Sequence, residues 1–415
     1  MLLVGCTVVD PGADAPLPDT AVWIDGERIK RVGPNAELLR EARAAGDAEI
    51  VDLGGAHLLP GLMNMHVHLG LRLPGMHELD GETPPARALR MARNARETLH
   101  SGVTTVRLVG EFGGTDLALR AAIARGDVEG PRIYTAGAPI ICTGGHGHGP
   151  AGGIEADGPA EVRKAVRGQL KVGVDLIKIM ISGGIAGENE TISTAQLDAD
   201  EMQAITTVAH GWGRKVAAHA GPASVIDEAI DAGIDCIEHG YFLSEEVARR
   251  MAEAGTWLVP TIVVSRCRDF YAKIGAPGWM VERALAAGEL HFAGLQHAIR
   301  SGVRIAMGTD MLPAEPFDGT NATVREMEFM ADAGMSPLDV VRSATVRAAE
   351  LLGVEHELGR VAEGMIADLI AVPGDPTRNV SALRDVSLVV KSGAIVHRPE
   401  SAQASISLKP VTVGV

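Results

Sequence analysis

Aromatic residues, cysteine pairs and long apolar runs are scarce in this 415-residue sequence. Aromatic residues make up 3% of it and Gly accounts for 50 residues, a composition that favours close packing of helices on strands over an aromatic-rich sandwich. The four cysteines are far apart and include no CxxC pair, which indicates reduced thiols in a cytoplasmic protein. No stretch of about 18 apolar residues occurs, so we expect no membrane partner.

Positive charge is also in short supply. The chain has 38 Lys and Arg against 53 Asp and Glu, which gives a formal net charge of −15, and no run rich in Lys or Arg reverses this balance. Such a chain is a poor ligand for phosphate backbones, so we expect no nucleic-acid partner. Hydrophobic residues make up 46% of the chain, enough for a sizeable core in one large domain or two ordinary ones. We expect small-molecule partners and a homo-oligomer.

One pattern repeats through the middle of the chain: a helical segment ends in Ala-Gly or Ser-Gly, and a short apolar strand follows. Gly just past a helix supplies the left-handed position that ends it. The pattern predicts eight strands, near residues 59–67, 104–110, 131–137, 175–182, 216–220, 235–239, 256–262 and 303–309. Eight alternating strand–helix units predict an α/β fold, a (β/α)8 TIM-type barrel. A doubly wound open sheet is the alternative, but no GxGxxG follows an early strand.

The two ends of the chain have a different pattern. Residues 1–57 and 356–415 contain short strand-like runs broken by turns, and neither segment is expected to form a hydrophobic core by itself. We therefore predict that they pair into one composite β-domain, a small β-sandwich, beside a barrel of residues 58–355. Two helix starts are also predicted, at Ser336 before Pro337 and at Asp198, which has capping-box spacing to Glu201.

Polar side chains close several of the predicted strands. His66 and His68 end the first strand, and residues i and i+2 of a strand face the same way. His219 closes the fifth strand, His239 the sixth and Asp310 the eighth. The carboxyl ends of barrel strands converge on one mouth, where imidazoles and a carboxylate suit Zn²⁺ or a similar divalent ion. The sequence therefore predicts a metal site.

Lys178 lies in the apolar fourth strand, within residues 176–181. Burial there removes water from the amine, lowers its pKa and frees it for chemistry. A buried salt bridge and a Schiff-base lysine are two interpretations of this position. The metal-binding residues favour a third, which a family resemblance supplies.

Residues 60–68, Pro-Gly-Leu-Met-Asn-Met-His-Val-His, and residues 359–369 resemble two signatures of the amidohydrolase superfamily. Within it, residues 177–180, Ile-Lys-Ile-Met, followed by Ser-Gly-Gly are similar to the imidazolonepropionase-related metallodipeptidases, which include enzymes that cleave Xaa-Pro and Xaa-Arg/Lys dipeptides. The resemblance covers most of the chain.

This resemblance implies two divalent ions, expected to be Zn²⁺, bridged by Lys178 after carboxylation of its amine by CO₂. His66, His68 and Asp310 would hold the first ion, and His219 and His239 the second. Two such ions share a hydroxide nucleophile and polarise a carbonyl. Asp310 would move the proton from that hydroxide to the leaving amine.

Further positions fit the resemblance. His146 lies in a glycine-rich loop, residues 143–148, and would orient the substrate or stabilise the oxyanion; His148 is either its companion or a solvent-facing loop residue. Tyr241 would donate a hydrogen bond to the tetrahedral intermediate, unless it only packs at the rim. Arg72 and Arg266 follow strands one and seven, where each could grip a substrate carboxylate.

Two departures from the family pattern concern specificity. Position 64 is Asn where the family usually has Asp, which would alter how the histidines are held without removing a ligand. The loop of residues 184–191 lacks the Ser-Pro element common in the dipeptidases. Its Glu188 and Glu190 would favour a cationic substrate, although solvated loop acids are the simpler interpretation.

We therefore predict a hydrolase that cleaves an amide bond in a dipeptide or an N-acyl amino acid by a metal-bridging hydroxide. A urea, carbamate or aryl-amide hydrolase on the same site is the first alternative. A heterocycle deaminase is the second, but those relatives place a Glu soon after the fifth-strand histidine, whereas His219 precedes Ala-Gly-Pro. A non-catalytic assembly protein is disfavoured because no ligand is missing.

Overall fold

The fold was taken from a computed structural model that describes residues 1–46, 49–71, 81–149, 152–317, 319–399 and 407–409. They divide into two compact units. The first, the end unit, comprises Met1–Met63, Glu97–Thr105 and Ser336–Val415. The second, the central unit, comprises Asn64–Arg96 and Val106–Met335.

The described residues form an α/β fold. Its strands are β1 (Leu2–Val8), β2 (Leu17–Asp25), β3 (Arg28–Pro34), β4 (Ile50–Asp52), β5 (His57–Pro60), β6 (Leu62–Val67), β7 (Val103–Leu108), β8 (Arg132–Thr135), β9 (Ile140–Ile141), β10 (Ile154–Glu155), β11 (Ile177–Met180), β12 (Val216–Pro222), β13 (Cys236–Phe242), β14 (Trp257–Val259), β15 (Arg304–Ile305), β16 (Pro316–Phe317), β17 (Thr320–Asn321), β18 (Leu369–Val372), β19 (Leu388–Lys391), β20 (Ala394–His397) and β21 (Ser407–Lys409). Its helices are α1 (Asn35–Ala45), α2 (Pro84–His100), α3 (Thr115–Arg125), α4 (Gly158–Val172), α5 (Ala199–Gly211), α6 (Ala223–Asp231), α7 (Glu245–Ala254), α8 (Arg268–Ile274), α9 (Gly278–Ser301), α10 (Ala322–Asp332), α11 (Pro337–Ser343) and α12 (Val346–Leu352), with 3₁₀ turns at Ile262–Ser265 and Val380–Arg384.

Strands from both chain ends share one sheet in the end unit. Its order is β20-β19-β18-β5-β1-β2-β3, and β4 pairs with β1 and β21. The link between the two ends is the antiparallel pair of β5 and β18, in which Leu59 lies opposite Ile370. Apolar side chains such as Leu58, Leu369 and Val390 are fully buried in one cluster on this sheet. The sheet therefore joins segments that are too short to fold alone.

Parallel strands organise the central unit. One sheet runs β10-β9-β11-β12-β13-β14-β15, and β11 to β15 pair in parallel. Further backbone hydrogen bonds link β8 and β6 to this sheet: the Asp175 amide, just before β11, donates to the Thr135 carbonyl at 2.8 Å, and the Met65 amide donates to the Met307 carbonyl, just after β15, at 2.8 Å. The carboxyl ends of β6, β11, β12, β13 and β14 are thus brought towards one side, which is where the predicted site residues lie.

Three predicted strands have different bounds in the structure. The segment 59–67 is split at Gly61: β5 pairs with β18 in the end sheet, and β6 begins at Leu62. Thr104 approaches Gly61 so closely that a Cβ atom there would collide with its side chain. The segment 256–262 ends at Val259, because Thr261 has a φ of 53° and a 3₁₀ turn follows. Only Arg304–Ile305 of the segment 303–309 is paired as a strand.

The predicted helix signals are confirmed. Ser336 caps α11 by accepting a hydrogen bond from the Asp339 amide, and Asp198 and Glu201 form the capping box of α5. Gly173, Gly255 and Gly302 end their helices with positive φ. Among the described residues, no helix combines the length and the apolar character needed to cross a membrane.

Candidate active site

His66, His68 and Asp310 meet at the end of β6. The Asp310 Oδ1 atom lies 3.2 Å from His66 Nε2 and 3.1 Å from His68 Nε2. The other ring nitrogen of each histidine is engaged elsewhere: His66 Nδ1 donates to Glu238 Oε2 at 2.7 Å, and His68 Nδ1 donates to the Gly110 carbonyl at 2.8 Å. When the rings are neutral, two nitrogen lone pairs therefore point at one carboxylate oxygen, an arrangement that a shared cation stabilises.

His219 and His239 adjoin this group from β12 and β13. The His239 ring centroid lies 4.9 Å from that of His66 and 4.5 Å from that of His219. His219 Nε2 donates to the Gly183 carbonyl at 3.1 Å, and His239 Nδ1 lies 2.7 Å from Thr261 Oγ1. Burial holds the pKa of both imidazoles well below the usual value, so they are neutral and fit to bind a metal.

Lys178 points into the same centre from β11. It is 1% exposed, and its Nζ atom hydrogen-bonds to none of the residues that the structure describes. Burial lowers the pKa of the amine to about 8, against a partial opposing effect of Glu238 and Asp310. A buried salt bridge, one of the interpretations left open above, is absent among the described residues. An orphaned amine in this position is costly unless a further group pairs with it.

Backbone strain is concentrated at these strand ends. His239, Thr261 and Asp310 have φ values of 68°, 53° and 55°, in the left-handed region that non-glycine residues rarely adopt. Each conformation costs about 1–3 kcal/mol and persists only where surrounding contacts enforce it. The Asp310 amide, for example, donates to the His66 carbonyl at 2.9 Å.

The buried ion pair of Glu238 and Arg107 holds the His66 ring through its Nδ1 atom. Glu238 is fully buried, and its Oε1 accepts a hydrogen bond from Arg107 at 2.6 Å while its Oε2 accepts the one from His66. Arg107 also donates to the Met65 carbonyl at 2.5 Å. Burial alone would raise the pKa of Glu238, but Arg107 and His66 outweigh it and lower that pKa to about 2. The carboxylate therefore fixes the His66 tautomer and orientation.

His146 approaches the cluster from the loop after β9. Its ring stacks on His219 with centroids 4.4 Å apart, and its Nδ1 hydrogen-bonds to Glu190. Gln196 links the two residues, since its Nε2 donates to Glu190 at 2.6 Å and its Oε1 accepts from the His146 amide at 2.9 Å. Glu190 is only 9% exposed and is not a solvated loop acid; it holds His146 in place.

The remaining predicted residues are placed less uniformly. Tyr241 is buried and stacks on His239 with centroids 5.0 Å apart. His148 Nδ1 lies 3.0 Å from the Gly145 carbonyl oxygen, within the same loop. Arg266 pairs with Glu289 at 3.1 Å and covers the Phe292 ring. Arg72 lies outside the described residues.

The donor set fits a divalent cation. His66, His239 and Asp310 each offer one ligand atom, and these atoms lie within 4.8 Å of one another. Burial would raise the pKa of Asp310, but its contacts with His66 and His68 hold that pKa well below the usual value, so its carboxylate is charged. Imidazole nitrogens and a carboxylate oxygen are the ligand chemistry of a Zn²⁺ site.

Several residues at the centre were not anticipated from the sequence: Arg107, Glu111, Glu238 and His291. Arg107 carried a usable signal, a cation within the apolar segment 104–109, which is the signal that singled out Lys178. Glu111, which accepts from the Gly70 amide at 2.9 Å, and His291 had none, because their partners lie far away in the chain. Burial raises the pKa of Glu111 to about 7.

The fold and the cluster define an α/β protein with a buried His/Asp group able to hold a metal ion. Residues 57–396 match the model of the amidohydrolase family. Ochratoxinase from Aspergillus niger is 31% identical over 94% of this chain and 85% of its own length.

Comparison with solved structures gives similar relatives. The chain is similar to a Xaa-Pro dipeptidase with bound methionine, with 32% identity, a TM-score of 0.82 and coverage of 96% of this chain and 99% of that one. It is also similar to a prolidase in complex with N-methylphosphonate-L-proline, with 30% identity, a TM-score of 0.85 and the same coverage. The chain belongs to the amidohydrolase family, and it is an enzyme, a hydrolase that acts on C–N bonds.

Proposed function

We propose that this enzyme hydrolyses the amide bond of a dipeptide or an N-acyl amino acid at a centre of two zinc ions bridged by carboxylated Lys178. The observation that carries the proposal is the Lys178 amine, which is buried among the histidines and Asp310 without a hydrogen-bond partner in the described chain. With a pKa of about 8, a fraction of this amine is unprotonated near neutral pH. That form reacts with CO₂ to give a carbamate and a proton, and the carbamate supplies two oxygen ligands.

The residues on the strand ends have two roles in this proposal, metal binding and proton transfer. His66, His68 and Asp310 would hold one ion, and His219 and His239 the other. Bound there, the ions would supply Lewis acidity that polarises the scissile carbonyl and lowers the pKa of water. Asp310 is the group to accept the proton of the attacking water and to deliver it to the leaving amine, because its Oδ1 faces the centre as a charged carboxylate.

Two residues would serve the substrate. His146, fixed through Glu190 and stacked on His219, is suited to orient the substrate or to stabilise the oxyanion. Tyr241 remains protonated, since burial raises the pKa of its phenol well above the usual value, and it is assigned as a hydrogen-bond donor to the tetrahedral intermediate. We retain His148 as a weaker candidate for substrate binding.

The relatives support a substrate with an amino-acid portion. One of the similar structures is named a Xaa-Pro dipeptidase and holds methionine, and another is named a prolidase and holds a phosphonate derivative of proline. A urea, carbamate or aryl-amide substrate at the same site is the alternative. We keep both substrate classes in the test below.

The same proposal includes the finer architecture. The hydrogen bonds that link β8 and β6 to the parallel sheet support a closed (β/α)8 barrel over residues 58–355. The single sheet that holds β1 to β4 together with β18 to β20, joined through β5 at the boundary, supports a composite β-sandwich of residues 1–57 and 356–415. We further propose a cytoplasmic homo-oligomer with small-molecule substrates and without nucleic-acid or membrane partners.

Metal analysis of the purified protein, together with a substrate screen, tests the proposal. We expect about two zinc ions per chain, a carbamate ¹³C NMR signal after incubation with ¹³C-bicarbonate, and amino-acid release from dipeptides or N-acyl amino acids. One ion per chain with no carbamate signal would contradict the bridged pair. Release of an aryl amine from an aryl amide, with no amino acid released from dipeptides, would favour the aryl-amide alternative. Release of ammonia from a heterocycle would favour the deaminase.

A further inference from the structure

Two consecutive side chains of β13 serve the same centre. Successive residues of a strand normally face opposite sides, yet Glu238 reaches His66 Nδ1 at 2.7 Å, while the His239 ring lies 4.9 Å from the His66 ring. The φ of 68° at His239 breaks the alternation. One residue can thereby brace His66 while the next faces the metal position.

A strained backbone of this kind persists only when other groups hold it. The His239 carbonyl accepts a hydrogen bond from His291 Nε2 at 3.1 Å, and the Pro260 carbonyl accepts from the same nitrogen at 2.8 Å. Because a carbonyl can only accept, His291 carries its proton on Nε2. Its Nδ1 then accepts from Ser265 Oγ at 2.8 Å, which fixes the tautomer.

His291 belongs to α9, far from β13 in sequence, and it is fully buried. Its ring also packs against Tyr241 with centroids 4.6 Å apart. The Pro260 carbonyl that it holds precedes Thr261, the second left-handed residue, whose Oγ1 lies 2.7 Å from His239 Nδ1. One imidazole therefore holds the backbone of His239 and the segment that carries its side-chain partner.

We propose that His291 is a positioning residue: by bridging the His239 and Pro260 carbonyls, it enforces the left-handed conformation that presents His239 to the metal centre. The inference rests on the proposed role of His239 as a ligand. It adds a residue outside the set of metal ligands, one that acts on His239 by holding the carbonyls of His239 and Pro260.

A matched pair of variants tests this role. His291→Gln keeps an amide nitrogen with two protons within reach of both carbonyls, whereas His291→Asn is equally polar but one methylene shorter. Leu295→Ala, a buried change one turn along α9, controls for general loosening of the helix. Ser265→Ala is the milder variant, which removes the partner of Nδ1 and leaves the ring in place.

The readouts are the zinc content per chain, the rate of zinc release to a chelator and the visible absorption spectrum of the cobalt-substituted protein. We expect His291→Asn to release zinc at least about tenfold faster than the wild type and to change the cobalt spectrum, as loss of groups that orient metal ligands generally does. His291→Gln should restore both readouts to near wild-type values, and Ser265→Ala should fall between them.

Equal release rates for the wild type and a folded His291→Asn would overturn the proposal, and so would an equal effect of Leu295→Ala at a matched loss of thermal stability. Were His291→Asn not to fold, Ser265→Ala would decide, and a release rate equal to that of the wild type would count against the role. His239→Ala separates the two proposals. If it keeps the wild-type zinc content, the ligand role of His239 fails; if it loses zinc while His291→Asn does not, only the present inference fails.

Discussion

The sheet of the end unit and the strand ends of the central unit contain different kinds of buried residue. The apolar cluster of the end unit consists of aliphatic side chains, methionine and cysteine, most of them on strands. Its left-handed non-glycine residues, Asp19 and Ser392, are not buried. At the strand ends of the central unit, Lys178, Glu238 and His239 are buried together, and left-handed residues lie inside the cluster.

Burial therefore has opposite energetic consequences in the two regions. Apolar burial in the end unit contributes to folding in proportion to the area removed from water. Buried charges and left-handed residues in the central unit cost free energy, and they are retained where a ligand and a reaction require them. Substitutions should therefore separate stability from metal binding according to the region they affect.

Lys178→Ala should have the largest effect. Loss of the bridging amine removes a ligand common to both ions, so we expect activity to fall by at least about a thousandfold, a range typical for loss of a central catalytic group, and zinc content to fall below the wild-type value. Steady-state kinetics and metal analysis measure both. Lys171→Ala, at an exposed position of α4, is the control; full activity of Lys178→Ala would refute the bridge.

Glu238→Gln should have the second largest effect. In this variant the buried Arg107 guanidinium faces a neutral amide in place of its carboxylate partner. We expect the free energy of unfolding to fall by about 3–5 kcal/mol. It also weakens the hold on His66, so zinc affinity should fall by about 10–100-fold. Urea unfolding and zinc competition titration measure the two effects. Unchanged zinc affinity in the folded variant would mean that Glu238 is structural only.

Leu369→Ala tests the end unit. This fully buried side chain of β18 leaves a cavity, so we expect a loss of about 2–5 kcal/mol in the free energy of unfolding, with zinc content and kcat/KM of the folded enzyme unchanged. Leu17→Ala, at a half-exposed position of β2, should cost far less. Loss of zinc from folded Leu369→Ala would erase the proposed difference between the regions.

Glu326 gives the pH prediction. It is fully buried and accepts from the Ile262 and Val263 amides, and burial raises its pKa to about 8. The folded state therefore binds this proton more tightly than the unfolded state, so stability falls as the pH rises from the ordinary value of a carboxyl through about 8, by up to about 1.4 kcal/mol per pH unit.

Unfolding free energies of the wild type and Glu326→Gln, measured between pH 5 and 9, test this assignment. The variant carries a neutral side chain throughout, so its curve should be flatter, and Glu363→Gln, at an exposed position, should follow the wild type. Parallel curves for the wild type and Glu326→Gln would show that Glu326 does not titrate in this range.

Asn64→Asp should have the smallest effect. Asn64 Oδ1 accepts from the His66 and Thr309 amides at 3.2 Å each, while its Nδ2 donates to Thr309 Oγ1 at 2.9 Å. A carboxylate keeps the first pair but cannot donate, so Thr309 must turn its hydroxyl away from the Met311 carbonyl. We expect a loss of about 1–2 kcal/mol with zinc content retained, by thermal melting and metal analysis. A stabilised variant would contradict this account.

Local signals predicted much of the molecule. Helix caps at Ser336 and Asp198 and the glycines that end helices depend on neighbours within four residues, so they can be read from the sequence. The same holds for the strand-end histidines and for Lys178, whose apolar flanks mark burial. The bounds of the strands were less predictable, because Gly61 and Thr261 end them through contacts and backbone angles that no local pattern contains.

The sequence by itself determined which residues stand at the strand ends and which of them are chemically suited to a metal. Only the tertiary structure decided how they are held. Glu238 lies 131 residues from Arg107 and 172 from His66, and His291 lies 52 residues from His239. A histidine becomes a ligand in the correct tautomer and orientation only when such distant partners fix its other nitrogen or its backbone, and folding alone brings them together.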